Sequence, residues 1–209
     1  MPQSAVSDLL IAEHLGSIDE AKVSAYNRRP KTKSEFELHP EMGPSAYEGN
    51  IDEAAVILLL SNPGFDKTSS LADHGFRRDG WPLSGLHPEA PSGLNKWWSG
   101  RLRWLIEEFG VERVSNSIAC LQLTPWASEK FDSSLRLPSR ELLLEAAGRC
   151  AARGAVMVVM RSERLWLEAQ SLASSRRRFR VKNWRTSYVS PGNLATDAWV
   201  TITTAIRDA

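Results

Sequence analysis

Three short segments of this chain carry residues that could do chemistry. The first is Ser61-Asn62-Pro63-Gly64-Phe65-Asp66, directly after a run of apolar residues. Pro63 and Gly64 force a tight turn, which turns backbone N–H groups and the Asn62 amide outward. An amide offers both donors and an acceptor, so Asn62 could hold a water or a substrate carbonyl, and Asp66 could act as a base. The second is Gln122-Leu123-Thr124-Pro125-Trp126-Ala127-Ser128. Here Gln122 could read an amide or a base edge, and Trp126 could stack on a planar ring. The third is Ser190-Pro191-Gly192-Asn193-Leu194, a rigid turn that could present N–H groups to an anion such as phosphate.

Each has a plainer explanation. Asn-Pro-Gly is a common turn. Gln122 equally serves a neighbouring backbone, a lone Trp belongs more often to a core, and Asn193 suits a helix N-cap. Upstream of the third segment stand Arg176, Arg177, Arg178, Arg180, Lys182 and Arg185, with Phe179 and Trp184 between them. Basic residues among aromatics fit a nucleic-acid backbone, and equally a solvated face.

Other chemistries find little support. His14, His39, His74 and His87 are scattered without metal-ligand spacing. No phosphate-binding Gly-rich loop follows a strand, and there is no Gly-x-Ser-x-Gly elbow. Cys120 and Cys150 lie in apolar segments and read as reduced core thiols, and a mid-strand position is poor for a nucleophile.

The elements that must position these segments follow from hydropathy. Residues 54–60 and 155–160 are short continuous apolar runs, as strands buried on both faces are, and residues 117–123, stopped by Thr124-Pro125, read as a second strand between them. Residues 186–189 read as a short fourth strand. Residues 8–27 have helical periodicity with a break expected at Gly16. Further helices are expected from Trp97 to Phe109, closed by Gly110, over 139–153 with Ser139 as cap, over 162–173 and over 194–206. Residues 28–50 and 65–95 read as loop. Strands alternating with helices imply an α/β fold, a three-layer αβα arrangement around a short central four-stranded parallel sheet. In such sheets ligands bind beyond the carboxyl ends of the strands, where all three segments fall.

At 209 residues and 42% hydrophobic, the chain suits one domain, with residues 1–50 as an N-terminal helical and extended arm. The N-terminus has no basic region followed by a long apolar run, and no apolar run could span a bilayer. A cytoplasmic monomer with no membrane contact is expected. Residues 136–185 hold twelve Arg and Lys against four Glu, a local +8 within a net charge of +1, leaving −7 for the remainder. A positive half beside a negative one fits an anionic partner.

The order of the loops resembles the uracil-DNA glycosylase superfamily. Leu60-Ser61-Asn62-Pro63-Gly64 looks like the Gly-Ile-Asn-Pro-Gly motif of its mismatch-specific branch. Gly80-Trp81-Pro82-Leu83-Ser84 and the prolines after it resemble the Gly-Leu-Ala-Phe-Ser segment and its Pro-rich loop. Cys120-Leu121-Gln122-Leu123-Thr124 resembles the base-reading region, and Ser190-Pro191-Gly192-Asn193-Leu194 resembles His-Pro-Ser-Pro-Leu.

The resemblance implies hydrolysis of the N-glycosidic bond of a flipped uracil or damaged base in DNA. Asn62 would position the water and Ser190 would stand where the catalytic His or Asn does. Pro63, Gly64, Phe65, Leu83, Ser84, Gln122, Trp126, Asn193 and Leu194 would line the base, with Leu194 as wedge. Arg176, Arg177 and Arg178 would meet the DNA backbone, and neither metal nor cofactor is needed. Three departures stand out: Leu60 for Gly, Leu83 for the stacking aromatic, and Ser190 for the His that stabilises the leaving anion, a contribution of several kcal/mol. The alternatives are a degenerate relative that binds nucleic acid, a nucleotide or a protein without excising a base, and an unrelated α/β protein whose turns are structural.

Overall fold

The computed structural model describes residues 5–30, 33–65 and 74–209, so Asp66 lies outside the described residues. It is an α/β protein with eight α-helices among the described residues and a five-stranded, mostly parallel sheet. The strands are β1 (Tyr47–Glu48), β2 (Val56–Leu60), β3 (Ile118–Gln122), β4 (Val156–Val159) and β5 (Arg178–Arg180), in spatial order β1-β3-β2-β4-β5. The pairs β2–β3, β2–β4 and β4–β5 are parallel, and β1 lies antiparallel on β3.

Every residue of β2, β3 and β4 is buried, as their continuous apolar runs demand. Alternation sends their side chains into two cores. Ile57, Leu59, Ala119, Leu121, Met157 and Val159 pack with Leu15 of α2 (Ala12–Asn27), with Leu143, Ala147 and Cys150 of α5 (Ser139–Ala152), with Trp166 of α6 (Glu163–Trp166) and with Leu172 of α7 (Gln170–Ala173). Val56, Leu58, Leu60, Cys120, Val156 and Val158 pack on the other side. Their partners are Trp98, Leu102 and Leu105 of α3 (Ser92–Phe109), Val114 of α4 (Val111–Ser117), and Ala198, Ile202 and Ile206 of α8 (Thr196–Asp208). Cys120 and Cys150 are both buried and free.

Five expectations are corrected. The sheet is not four parallel strands alone, because residues 47–48 of the arm add an antiparallel edge. This edge needs Gly49: its φ is +95°, and a Cβ there would meet the Ala119 backbone at 2.7 Å. The fourth parallel strand is not 186–189 but Arg178–Arg180, inside the basic stretch. Ser187 has φ of +51°, which breaks an extended run, while Phe179 packs against the second core. Charged residues suit such an edge because they discourage pairing with another sheet.

The N-terminal helical stretch breaks before Gly16. A short α1 (Val6–Leu9) ends at Leu10, and α2 runs through Gly16 without interruption. The single helix expected over 162–173 is the two short pieces α6 and α7.

Ser139 does not cap α5; it is the helix's first residue. The exposed N–H end is instead met by Asp19 of α2. This fully buried carboxylate accepts the Ser139 N–H at 2.9 Å, the Ser139 hydroxyl at 2.6 Å and the Trp126 indole N–H at 2.8 Å. A carboxylate at a helix N-terminus also meets the positive end of the dipole. One buried side chain thus ties α2, α5 and the loop after β3 together.

Glu48 holds the opposite side. Its carboxylate accepts the Gly85 N–H at 2.9 Å and the Trp98 indole N–H at 3.0 Å. Burial outweighs these bonds and raises its pKa above 4.5.

Two stability predictions follow from these carboxylates. Asp19→Ala strands three buried donors and is expected to cost on the order of 3 kcal/mol in urea unfolding; a cost below about 0.5 kcal/mol would show that the clamp does not hold the helices. The raised Glu48 pKa means that its stabilising contribution is complete below pH 4.5 and declines as pH rises through the higher folded value. Glu48→Gln, which cannot ionise, should therefore gain in melting temperature relative to the parent between pH 4 and pH 8. An unchanged difference across that interval would contradict the assignment.

Candidate functional site

The route of the chain selects one crevice. From β2 it runs through α3 and α4, on the second-core face, to β3 on one side of β2. From β4, on the other side of β2, it runs through α6 and α7, on the first-core face, to β5. The connections diverge between the carboxyl ends of β2 and β4, where open α/β sheets bind ligands. At that point Ser61, first after β2, and Ser162 share a hydrogen bond of 2.7 Å between their hydroxyls.

The loops on either side are laced to this point. Beyond β3, the Leu123 N–H donates to Leu60 O and the Thr124 N–H to Ser61 O. The Asn62 amide nitrogen donates to Pro63 O at 2.9 Å, Ser128 O at 3.1 Å and Ser128 Oγ at 2.9 Å. The two carbonyls fix which end of the amide is nitrogen, and Asn62 Oδ1 accepts no hydrogen bond among the described residues. Beyond β4, Arg161 Nε donates to Ser187 Oγ at 3.3 Å, reaching the loop that follows β5. The arm covers the first two loops: His39 N–H donates to Ala127 O, Ser45 N–H to Pro125 O, and the Gln122 N–H to Ala46 O.

Gln122 is the unusual group here. It ends β3 opposite Leu60 and is 9% exposed, yet its side-chain Oε1 is buried with no hydrogen-bond partner among the described residues. Native interiors rarely leave such an acceptor empty, and one that stays empty asks for a reason. Ser162 and Ser187 add a second oddity. They are the non-glycine residues with positive φ among the described residues, at +56° and +51°. Strained backbone of this kind tends to collect at functional sites.

The other site residues expected from sequence divide clearly. Asn62, Pro63, Gly64, Phe65 and Gln122 sit together at the carboxyl ends of β2 and β3. Pro63 is buried, Gly64 is exposed and bridges to Ser128, and Phe65 is stacked on His39 with ring centroids 3.5 Å apart. Ser190 and Asn193 lie in the loop beyond β5. The Ser190 oxygens accept N–H groups of Asn193 and Leu194, and Asn193 bonds to the Asn183 N–H and Tyr188 O, so both serve that loop's own turn.

Four assignments are corrected by burial. Leu83 and Leu194 are fully buried in the second core, so neither can stack on a base or wedge into a duplex. Trp126 is buried with its N–H held by Asp19, which removes it as a stacking platform. Ser84 is buried, with its hydroxyl donating to Trp81 O and accepting the Arg78 N–H.

Arg176, Arg177 and Arg178 stand at the amino end of β5, where Arg177 O accepts the Met157 N–H near the start of β4. That is the opposite end of the sheet from the crevice, so they cannot meet a strand bound there.

Sequence reasoning passed over Arg161, Ser162, Ser187 and Arg101. Met160-Arg161-Ser162 carries the same signal as Leu60-Ser61-Asn62, polar residues at the end of an apolar run. Nothing in the sequence says that Arg101 of α3 faces this end of the sheet.

Among the described residues no group of three His, Cys, Asp or Glu stands together to hold a metal ion, and no helix is long and apolar enough to cross a membrane. The chain defines itself by its fold as an α/β protein with a mixed, mostly parallel sheet. It matches no family model, no curated protein and no solved structure.

If Gln122 is held ready for a ligand, removing its polarity should help folding. Gln122→Leu is expected to raise stability by about 1 kcal/mol, because no hydrogen bond is lost and an unpaired buried oxygen is removed. A loss of stability in thermal unfolding would mean that the amide is satisfied within the protein.

Proposed function

We propose that the chain is a uracil-DNA glycosylase-like enzyme, a three-layer αβα domain that hydrolyses the N-glycosidic bond of a flipped uracil or damaged base in DNA. The reading rests on one observation: the buried Gln122 amide oxygen, without a hydrogen-bond partner among the described residues, stands one strand away from Asn62, whose amide nitrogen is held by Pro63 O and Ser128 so that Oδ1 is left to accept. Gln122 would read the base edge, its Oε1 accepting a ring N–H and its Nε2 donating to a carbonyl. Asn62 Oδ1 would accept a hydrogen bond from the attacking water and so position it, its orientation fixed by the two carbonyls on its nitrogen. Extruding the base costs a few kcal/mol, least for a mismatched or single-stranded base.

A second reading, binding without base release, is favoured by a specific observation. Ser190 is taken up in its own turn, and Leu83 and Leu194 are core residues, so no cationic group, stacking ring or wedge comes from those positions.

A strand-cleavage assay separates the two. An oligonucleotide carrying uracil, single-stranded or opposite Gly or Ade, is incubated with protein and treated with alkali. Cleavage is expected, reduced about a hundredfold or more by Asn62→Ala with folding checked by melting temperature. Because Asn62 also bridges two loops, Gln122→Leu serves as a second variant and should lose cleavage while remaining folded. Gel-shifted DNA without cleavage would favour the binding module, and cleavage unchanged in both variants would remove Asn62 and Gln122 from the site.

A further inference from the structure

Two arginines bond to the loop beyond β5, and neither has an acidic partner among the described residues. Arg161 follows β4 directly, between the buried Met160 and the strained Ser162. Its guanidinium donates to Ser187 Oγ at 3.3 Å and to Arg185 O at 3.4 Å, both neutral acceptors. Arg101 reaches the same place from α3. Its backbone carbonyl accepts the Val189 N–H at 3.0 Å, which fastens α3 to the loop beyond β5. Its guanidinium lies over the Trp97 ring at 4.1 Å and donates from Nη1 to Trp97 O at 3.3 Å, a neutral acceptor, while its buried Nε has no hydrogen-bond partner among the described residues. Neither arginine forms an ion pair among the described residues, although nine such pairs occur elsewhere. Burial lowers the Arg101 pKa and the nearby Arg161 charge lowers it further, so the pair repels itself as it stands.

We propose that Arg101 and Arg161 form a seat for a phosphate of a nucleic-acid strand, on the β4–β5 side of the crevice that Gln122 and Asn62 line. A phosphodiester carries one negative charge and presents oxygens to both guanidiniums, which matches planar donors better than an ammonium would. Trp184 and Tyr188, 58% and 45% exposed, stand in the loop that Arg161 holds and offer faces on which neighbouring bases stack. Arg185 and Lys182 extend the positive charge along the same loop. The basic residues that serve the strand are therefore those beyond the carboxyl end of β5, not those before it. The inference rests on the nucleic-acid reading of the crevice and names the contact that would orient the strand there.

The test is fluorescence anisotropy of a labelled single-stranded oligonucleotide across a series of NaCl concentrations, with the full chain. Arg101→Gln and Arg161→Gln are each expected to weaken binding about tenfold. Each should also flatten the plot of log affinity against log salt by roughly 0.7. Arg161→Lys should keep the salt slope while recovering only part of the affinity. Arg176→Gln with Arg177→Gln, at the far end of the sheet, should change neither. Wild-type binding in the Arg101 and Arg161 variants, or an equal loss in the Arg176/Arg177 variant, overturns the seat. Inorganic phosphate that changes tryptophan fluorescence in an Arg101-dependent manner while leaving the oligonucleotide bound would overturn the strand as its source, in favour of a free phosphate. Base release can fail while the arginine dependence holds, which removes the glycosylase reading and keeps the seat; release with inert arginines does the reverse.

Discussion

The arrangement depends on the burial of β2 from both sides. Val56 to Leu60 have no surface to offer, since their neighbours β3 and β4 take the backbone and two helical layers take the side chains. The same holds for β3 and β4 over nearly their whole length. Polar chemistry is thereby pushed off the middle of the sheet to its ends. At the carboxyl ends the polar residues are Ser61, Asn62, Gln122, Arg161 and Ser162, each within two positions of an apolar run.

Those ends are then held by bonds between loops rather than within them. Ser61 and Ser162 join β2 to β4, Asn62 and Ser128 join β2 to β3, and Arg161 and Ser187 join β4 to the chain beyond β5. The arm adds backbone bonds to residues 122, 125 and 127, and Asp19 anchors Trp126 from beneath. A site built this way has its polar groups oriented before any ligand arrives, which limits the cost of ordering them on binding. The exceptions here, Gln122 Oε1 and Arg101 Nε, are buried groups without hydrogen-bond partners among the described residues.

The three central strands were legible because continuous apolar runs of that length admit few other solutions. The helices α3, α5 and α8 were legible from their periodicity and from Gly110 as a stop. β5 was not, because Arg-Phe-Arg reads as charge, and only the third dimension shows Phe179 packing inward from an edge. Residues 186–189 misled for the opposite reason: Thr-Ser-Tyr-Val alternates like a strand, but Ser187 turns left-handed to meet Arg161. The positions of Asn62 and Gln122 at the carboxyl ends of β2 and β3 were legible because strand ends are readable. Leu83, Trp126 and Leu194 were misassigned because nothing in a loop sequence tells a side chain that points out from one that completes a core. Arg101 and Asp19 were invisible, since each acts on residues far away along the chain.

The central claim is that the carboxyl-end crevice receives a nucleic-acid base. Side-chain amide and indole resonances report on it directly: a ¹⁵N-labelled sample is titrated with a uracil-containing oligonucleotide, and the amide signals of Asn62 and Gln122 and the indole signal of Trp184 are followed. The account predicts that all three move together, Gln122 most, as its buried amide gains a partner. Shifts confined to the amides of Arg176 to Arg178 at the other end of the sheet, with Gln122 unmoved at saturation, would contradict it.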